Sequence, residues 1–108
     1  MGGYALPLES TWAAGMKNKI KRLKDGRFKL VLDEDLRRAI TQAVAASLHF
    51  EGEDMEDYLF ALLSETLRAL QQQDTPRLPE SALLAMLRVS GTYLDEPTQL
   101  LMLSLITP

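Results

Sequence analysis

The stretch from Lys17 to Leu32, KNKIKRLKDGRFKLVL, decides the fold because it is compatible with either a helix or a β-hairpin. In the helical interpretation, Ser10 is the N-cap and the helix ends near Gly26. Four apolar residues then recur at helical spacing and share one face: Trp12, Met16, Ile20 and Leu23. The lysines fall mainly on the opposite face, so this helix would bury its apolar side and solvate its charges.

The competing interpretation is a hairpin over residues 20–32, since Asp25-Gly26 is a strong two-residue turn signal. Such a turn places two like-charged pairs opposite each other across the ladder: Lys24 with Arg27, and Arg22 with Lys29. Like charges directly across a ladder are destabilising. We therefore expect the helix rather than the hairpin.

A short β-prone run follows, in which Phe28, Leu30 and Leu32 share one face. After a helix, this strand has no neighbour nearby in the sequence. It can pair with its copy in a dimer, pair with a partner protein, or serve as an extended buried link.

The remainder of the chain predicts helices. Asp33 caps a long helix, a second helix ends near Gln73, a third follows Pro79, and a last one begins at Asp95. The expected fold is mainly α, a small bundle of four to five helices with one short β-strand or ribbon after the first helix. We expect a single helical domain over residues 10–108, preceded by an extended or disordered arm over residues 1–9.

Composition limits the classes of function. The chain has 108 residues and no cysteine, which excludes disulfides, thiolate metal sites and cysteine nucleophiles, and it fits a cytoplasmic location. The net charge of −3 hides a segregation of sign. Cations crowd residues 17–29, whereas five anions lie within seven residues: Glu51, Glu53, Asp54, Glu56 and Asp57. Such blocks can steer a charged partner.

The sequence displays no set of residues with a catalytic arrangement. His49 is the only histidine, and a metal site needs further ligands that converge on one ion. The glycines are scattered singly, so no phosphate-cradling loop is indicated. We expect no enzymatic activity, no cofactor and no metal.

Two segments together resemble the ATP-cone, a regulatory nucleotide-binding domain: residues 21–27, KRLKDGR, and residues 36–40, LRRAI. The resemblance covers about residues 19–106 and implies a basic hairpin followed by helices. The chain departs from the family at Leu23 and Lys24, which interrupt its compact basic-aspartate-glycine motif.

Residues 27–32, RFKLVL, and the two helices after them are similar to ribbon-helix-helix DNA-binding proteins. In that family the paired strands of a dimer enter the major groove, so Arg27, Lys29 and Val31 would face bases. Valine is a poor base reader, however, and the C-terminal third has no counterpart. The nucleic-acid contact set under this hypothesis is basic throughout: Lys17, Lys21, Arg22, Lys24, Arg27 and Lys29.

The leading hypothesis is a non-enzymatic regulatory or assembly module that acts through protein-protein contacts, as a homodimer or with another protein. The last helix is apolar almost all round, and the strand after Arg27 lacks an obvious partner. The expected interface combines both elements: Phe28, Leu30, Leu32, Leu101 and Leu105.

Overall fold

The computed structural model describes residues 18–106, and in it the basic stretch is a hairpin. Strand β1 (Lys19–Arg22) runs antiparallel to β2 (Phe28–Val31). The predicted helix over residues 10–26 is therefore wrong from residue 19 onward. Its start at residues 10–17, like the predicted arm over residues 1–9, lies outside the described residues.

The hairpin avoids part of the expected charge repulsion by using a longer loop. The Leu23 N–H donates to the Arg27 carbonyl (2.7 Å) and the Gly26 N–H donates to the Leu23 carbonyl (3.0 Å), so three residues rather than two make the turn. Gly26 has a φ of +89°, a left-handed conformation that glycine adopts without strain. The extra residue shifts the register by one, and Arg22 faces Phe28 with its guanidinium carbon 5.8 Å from the ring centroid.

Strand β2 is the central strand of a three-stranded sheet. Its second edge pairs antiparallel with β3 (Arg77–Leu78), and the Leu30 N–H donates to the Pro76 carbonyl at 2.9 Å. The expectation that β2 lacks a neighbour is therefore wrong. Its second partner comes from much later in the chain, which no local pattern reveals.

Four helices complete the described part of the fold: α1 (Glu34–Glu51), α2 (Asp57–Gln72), α3 (Glu80–Ser90) and α4 (Glu96–Ile106). The expected N-cap is confirmed, because the Asp33 carboxylate accepts the Leu36 N–H at 2.8 Å. The mainly helical prediction is confirmed too, with a three-stranded sheet in place of the single strand. Within residues 18–106 no helix combines the length and apolar character that crossing a bilayer requires.

The sheet and the helices share an apolar core. Leu30 of β2 and Leu78 of β3 meet side chains from all four helices there: Leu36, Ile40, Val44, Leu63, Leu70, Leu83, Met86 and Met102. Leu30 has no exposed surface at all. One face of the sheet is thus committed to the core, and the other carries three lysines and Arg77.

Two polar contacts fix the sheet beside the helix ends. Asn18, 2% exposed, accepts the Asp33 N–H at 2.6 Å and donates to the Asp33 carboxylate at 3.0 Å. Arg37, in the first turns of α1, donates to the carbonyls of Leu70 (2.8 Å) and Gln73. These carbonyls lie at the end of α2, where backbone acceptors have no partner within the helix. These contacts hold the end of α2, from which the chain enters β3, next to the start of α1.

The buried position of Leu30 gives a direct test of the hairpin. We expect Leu30→Ala to lower the free energy of unfolding by about 2–5 kcal/mol, the cost of a large-to-small change in a core. Leu103, 55% exposed, is the matched control, and Leu103→Ala should change it by less than about 0.5 kcal/mol. Urea denaturation followed by circular dichroism measures both, and equal losses would contradict the assigned sheet.

Candidate functional site

The outer face of the sheet carries a row of three cations, one from each strand. Residues directly opposite each other in an antiparallel pair point to the same face. Lys21 is opposite Lys29, and Lys29 is opposite Arg77. Since the neighbouring Leu30 is buried, alternation along β2 places Lys29 on the outer face of the sheet, where its side chain is half-buried. We call Lys21, Lys29 and Arg77 the cationic row.

The cationic row forms no ion pair with any residue in the described part of the chain. The ion pairs there lie elsewhere: Arg27–Asp25, Arg37–Asp74 and Arg38–Glu34. Neighbouring strands lie about 4.8 Å apart, so the row concentrates its positive charge within about 10 Å. Like charges at opposed positions act against stability, within the roughly 0.2–1 kcal/mol range of cross-strand pairs. An anion laid along the row would remove that repulsion.

Asp25, in the hairpin loop, forms an ion pair with Arg27. Its carboxylate accepts the Arg27 backbone N–H at 3.0 Å and the Arg27 Nε–H at 2.8 Å. The backbone bond first, and then the side-chain bond, hold the pKa of Asp25 below its usual value, and the charge of Arg77 acts in the same direction. The stabilisation from this contact is present at neutral pH and is lost as the pH falls through the lowered pKa. The charges of Asp25 and Arg27 therefore largely cancel at the edge of the row.

The structure divides the six basic residues of the predicted nucleic-acid contact set. Lys21 and Lys29 belong to the cationic row, and Lys17 lies outside the described residues. The other three lie elsewhere: Arg22 on the face that carries Phe28, and Lys24 and Arg27 at the hairpin loop. The contact set is therefore not one continuous surface.

The predicted interface residues all contact their own chain. Leu30 is buried in the core, and the other four are partly buried and pack against it: Phe28, Leu32, Leu101 and Leu105. The exposed leucines of α4 are instead Leu100 and Leu103, at 58% and 55% exposure. A second copy that met α4 would therefore contact Leu100 and Leu103 first.

Arg77 is the residue of the cationic row that sequence analysis missed. It lies between Pro76 and Pro79, in a stretch that reads as a simple break between helices. A two-residue strand is too short to show the alternation that identifies strands. The available signal was that two prolines exclude a helix and leave Arg77 and Leu78 free to extend beside another strand.

His49, the only histidine, takes part in an aromatic cluster at the end of α1. Its ring meets that of Phe50 edge-on at 4.7 Å between centroids, and Phe50 stacks on Tyr93 at 6.2 Å. The Tyr93 hydroxyl donates to Glu51 at 2.7 Å. In the described part of the chain, no group of three or more histidine, aspartate or glutamate side chains is placed to hold a metal ion.

The comparisons with known proteins give no match. No protein-family model matches the chain, and no curated protein or solved structure matches it either. Function therefore has to be inferred from the geometry and charge of the described residues, of which the cationic row is the most distinctive feature.

The repulsion within the cationic row predicts that its central lysine costs stability. We expect Lys29→Gln to raise the free energy of unfolding by up to about 1 kcal/mol at low salt, because it removes two like-charge contacts. The gain should shrink as added salt screens the charges. Lys24→Gln, a change in the loop, is the control and should have little effect. A loss of stability in Lys29→Gln that does not vary with salt would contradict the row.

Proposed function

We propose that the chain is a non-enzymatic regulatory domain that binds a nucleoside polyphosphate on the outer face of its sheet. The cationic row carries this proposal. Lys21, Lys29 and Arg77 come from three strands, share one face and form no salt bridge among residues 18–106. A ligand with several adjacent negative charges would satisfy them together.

The chemistry of the row suits phosphate groups. A lysine ammonium binds phosphate as a point charge, and an arginine guanidinium can bind it with two parallel hydrogen bonds. Lys29 lies at the centre of the row, and Lys21 and Arg77 lie on the two edge strands, where the guanidinium of Arg77 can bind a terminal phosphate. The resemblance to the ATP-cone supports the same ligand, since it implies a basic hairpin followed by helices.

The small size of the row favours a nucleotide over a nucleic acid. The only further cation on this face of the described strands is Lys19, two residues before Lys21 along β1. Proteins that bind duplex DNA commonly make about 6–10 phosphate contacts. Four cations within a short span match a polyphosphate chain better than an extended nucleic-acid backbone.

Calorimetric titration tests the proposal directly. We expect ATP and inorganic triphosphate to bind at about 50 mM salt, where charged contacts are little screened, and AMP to bind far more weakly. Lys21→Gln and Arg77→Gln should each weaken ATP binding about tenfold, because a hydrogen bond to a charged group contributes about 1.5–3 kcal/mol. The control is Arg38→Gln on α1, since Arg38 is paired with Glu34 at 3.2 Å and lies outside the row.

Two results would reject a nucleotide site. One is the absence of saturable ATP binding at millimolar concentration, with the fold verified by circular dichroism. The other is tighter binding of a duplex or single-stranded oligonucleotide than of ATP, lost in the same variants, which would favour the nucleic-acid alternative.

Homodimer formation through α4 is a second candidate function, favoured by the exposure of Leu100 and Leu103. An unpaired strand does not favour it, because β2 is hydrogen-bonded on both edges. The apolar surface of α4 supports it independently of the sheet.

Analytical ultracentrifugation tests this second candidate. We expect a concentration-dependent dimer in the micromolar range that Leu100→Ser and Leu103→Ser together convert to monomer, since they remove the exposed apolar surface. Lys24→Gln is the control and should leave the equilibrium unchanged. Only monomer in the unaltered protein at all concentrations would exclude this role.

A further inference from the structure

A groove with an apolar floor lies between the start of α2 and the length of α3. Its volume is about 610 Å³, and its more buried lining consists of Met55, Leu59, Ala85 and Val89. The last residue of α1, Glu51, also lines it, whereas the sheet adjoins the first turn of α1. The acidic end of the groove, at Glu51, therefore lies at the far end of α1 from the sheet, whereas its other end reaches Ser81 in the first turn of α3, four residues after Arg77.

The borders of the groove are large side chains that the chain leaves uncovered. Leu84 of α3 is 53% exposed and Tyr58 of α2 is 67% exposed. Both line the same groove from opposite sides. An exposed apolar patch beside a depression marks an interaction site, and tyrosine is among the residues enriched at the energetic centres of protein interfaces. With both more than half exposed, the groove is too open to enclose a small ligand.

The rim of the groove is acidic. Three carboxylates line it, Glu51, Asp54 and Glu56, against one cation, Arg88. None of them belongs to the ion pairs formed among residues 18–106, and Glu51 is oriented by the hydrogen bond from Tyr93. An apolar depression with this rim complements a partner that presents apolar and basic side chains together.

We infer that the groove is the docking site for a basic amphipathic helix of a partner protein. The apolar face of such a helix would cover Leu84 and Tyr58, and its flanking lysines or arginines would meet the rim carboxylates. This is the groove-binding mode in which anchors recur at helical spacing. The inference uses no part of the sheet, so it stands or falls independently of nucleotide binding.

The described hairpin and α4 of a second copy fit the groove less well than such a helix. The unpaired cations of the described hairpin lie on its strands and in its loop, not on a helix. The apolar residue that shares the outer face of these strands with Lys19 and Lys21 is Val31. The exposed leucines of α4, Leu100 and Leu103, have no basic residue within their helix. Neither surface combines the helical form, apolar face and positive charge that the groove complements.

A synthetic helical peptide provides the probe. A Leu/Lys amphipathic peptide of about 18 residues, roughly five helical turns, is titrated into isotopically labelled full-length protein and followed by NMR. Two control peptides keep the length: one replaces lysine with glutamate, and the other scrambles the sequence so that the apolar face is lost. We expect saturable binding of the basic amphipathic peptide alone, with the largest amide shifts at Leu59, Ala85 and Val89.

Matched variants separate the groove from general charge attraction. Leu84→Ser should weaken peptide binding about tenfold, or about 1.4 kcal/mol, whereas Leu103→Ser, at nearly equal exposure, should change it less than twofold. Glu56→Lys at the rim should weaken it to a similar extent, whereas Glu65→Lys in α2, outside the groove, should not. Circular dichroism and thermal unfolding verify that each variant is folded.

The NMR map does not depend on any variant and can overturn the inference by itself. Shifts centred on the sheet or on α4, equal binding of the glutamate peptide, or equal losses in Leu84→Ser and Leu103→Ser would each reject the groove as the site. Self-association that Leu84→Ser abolishes would assign the groove to a second copy and likewise overturn the proposed partner.

Discussion

The pairing of β2 on both edges is the constraint on which the rest of the structure depends. It places Leu30 in the core with no exposed surface, and alternation along the strand then forces Lys29 to the outer face. The neighbours on either side bring Lys21 and Arg77 level with it. The same strand therefore builds the core and the cationic row, and a change in its register would disrupt both together.

The hairpin forms despite its charge because of its register and of what it buries. The three-residue loop moves Arg22 away from Lys29 and over the Phe28 ring, so the repulsion expected from a two-residue turn is reduced. The opposed Lys21 and Lys29 still act against stability, by up to about 1 kcal/mol. Full burial of a leucine contributes roughly 1.5–3 kcal/mol, so Leu30 alone outweighs that repulsion.

The helices were predictable from sequence and the sheet was not, for physical reasons. Helix caps such as Asp33 and stripes such as Leu36, Ile40 and Val44 are local signals, and they placed α1 correctly. The choice between helix and hairpin depended on a distant partner, because β3 completes the sheet from far along the chain. Ile20 fits a helical stripe and a strand equally well, and the pairing of Leu78 and the hydrogen bond to Pro76 beside β2 favour the strand.

The segregation of charge along the sequence becomes a separation in space. The start of α1 is fastened to the sheet through Asp33, and its last residue, Glu51, lines the acidic groove. A helix of 18 residues is about 27 Å long at 1.5 Å per residue. That distance exceeds the Debye length of about 8 Å at physiological salt. Charge alone therefore couples the cationic row only weakly to the acidic end of the groove at Glu51, and any stronger coupling between the two has to pass through the helices packed around Leu30.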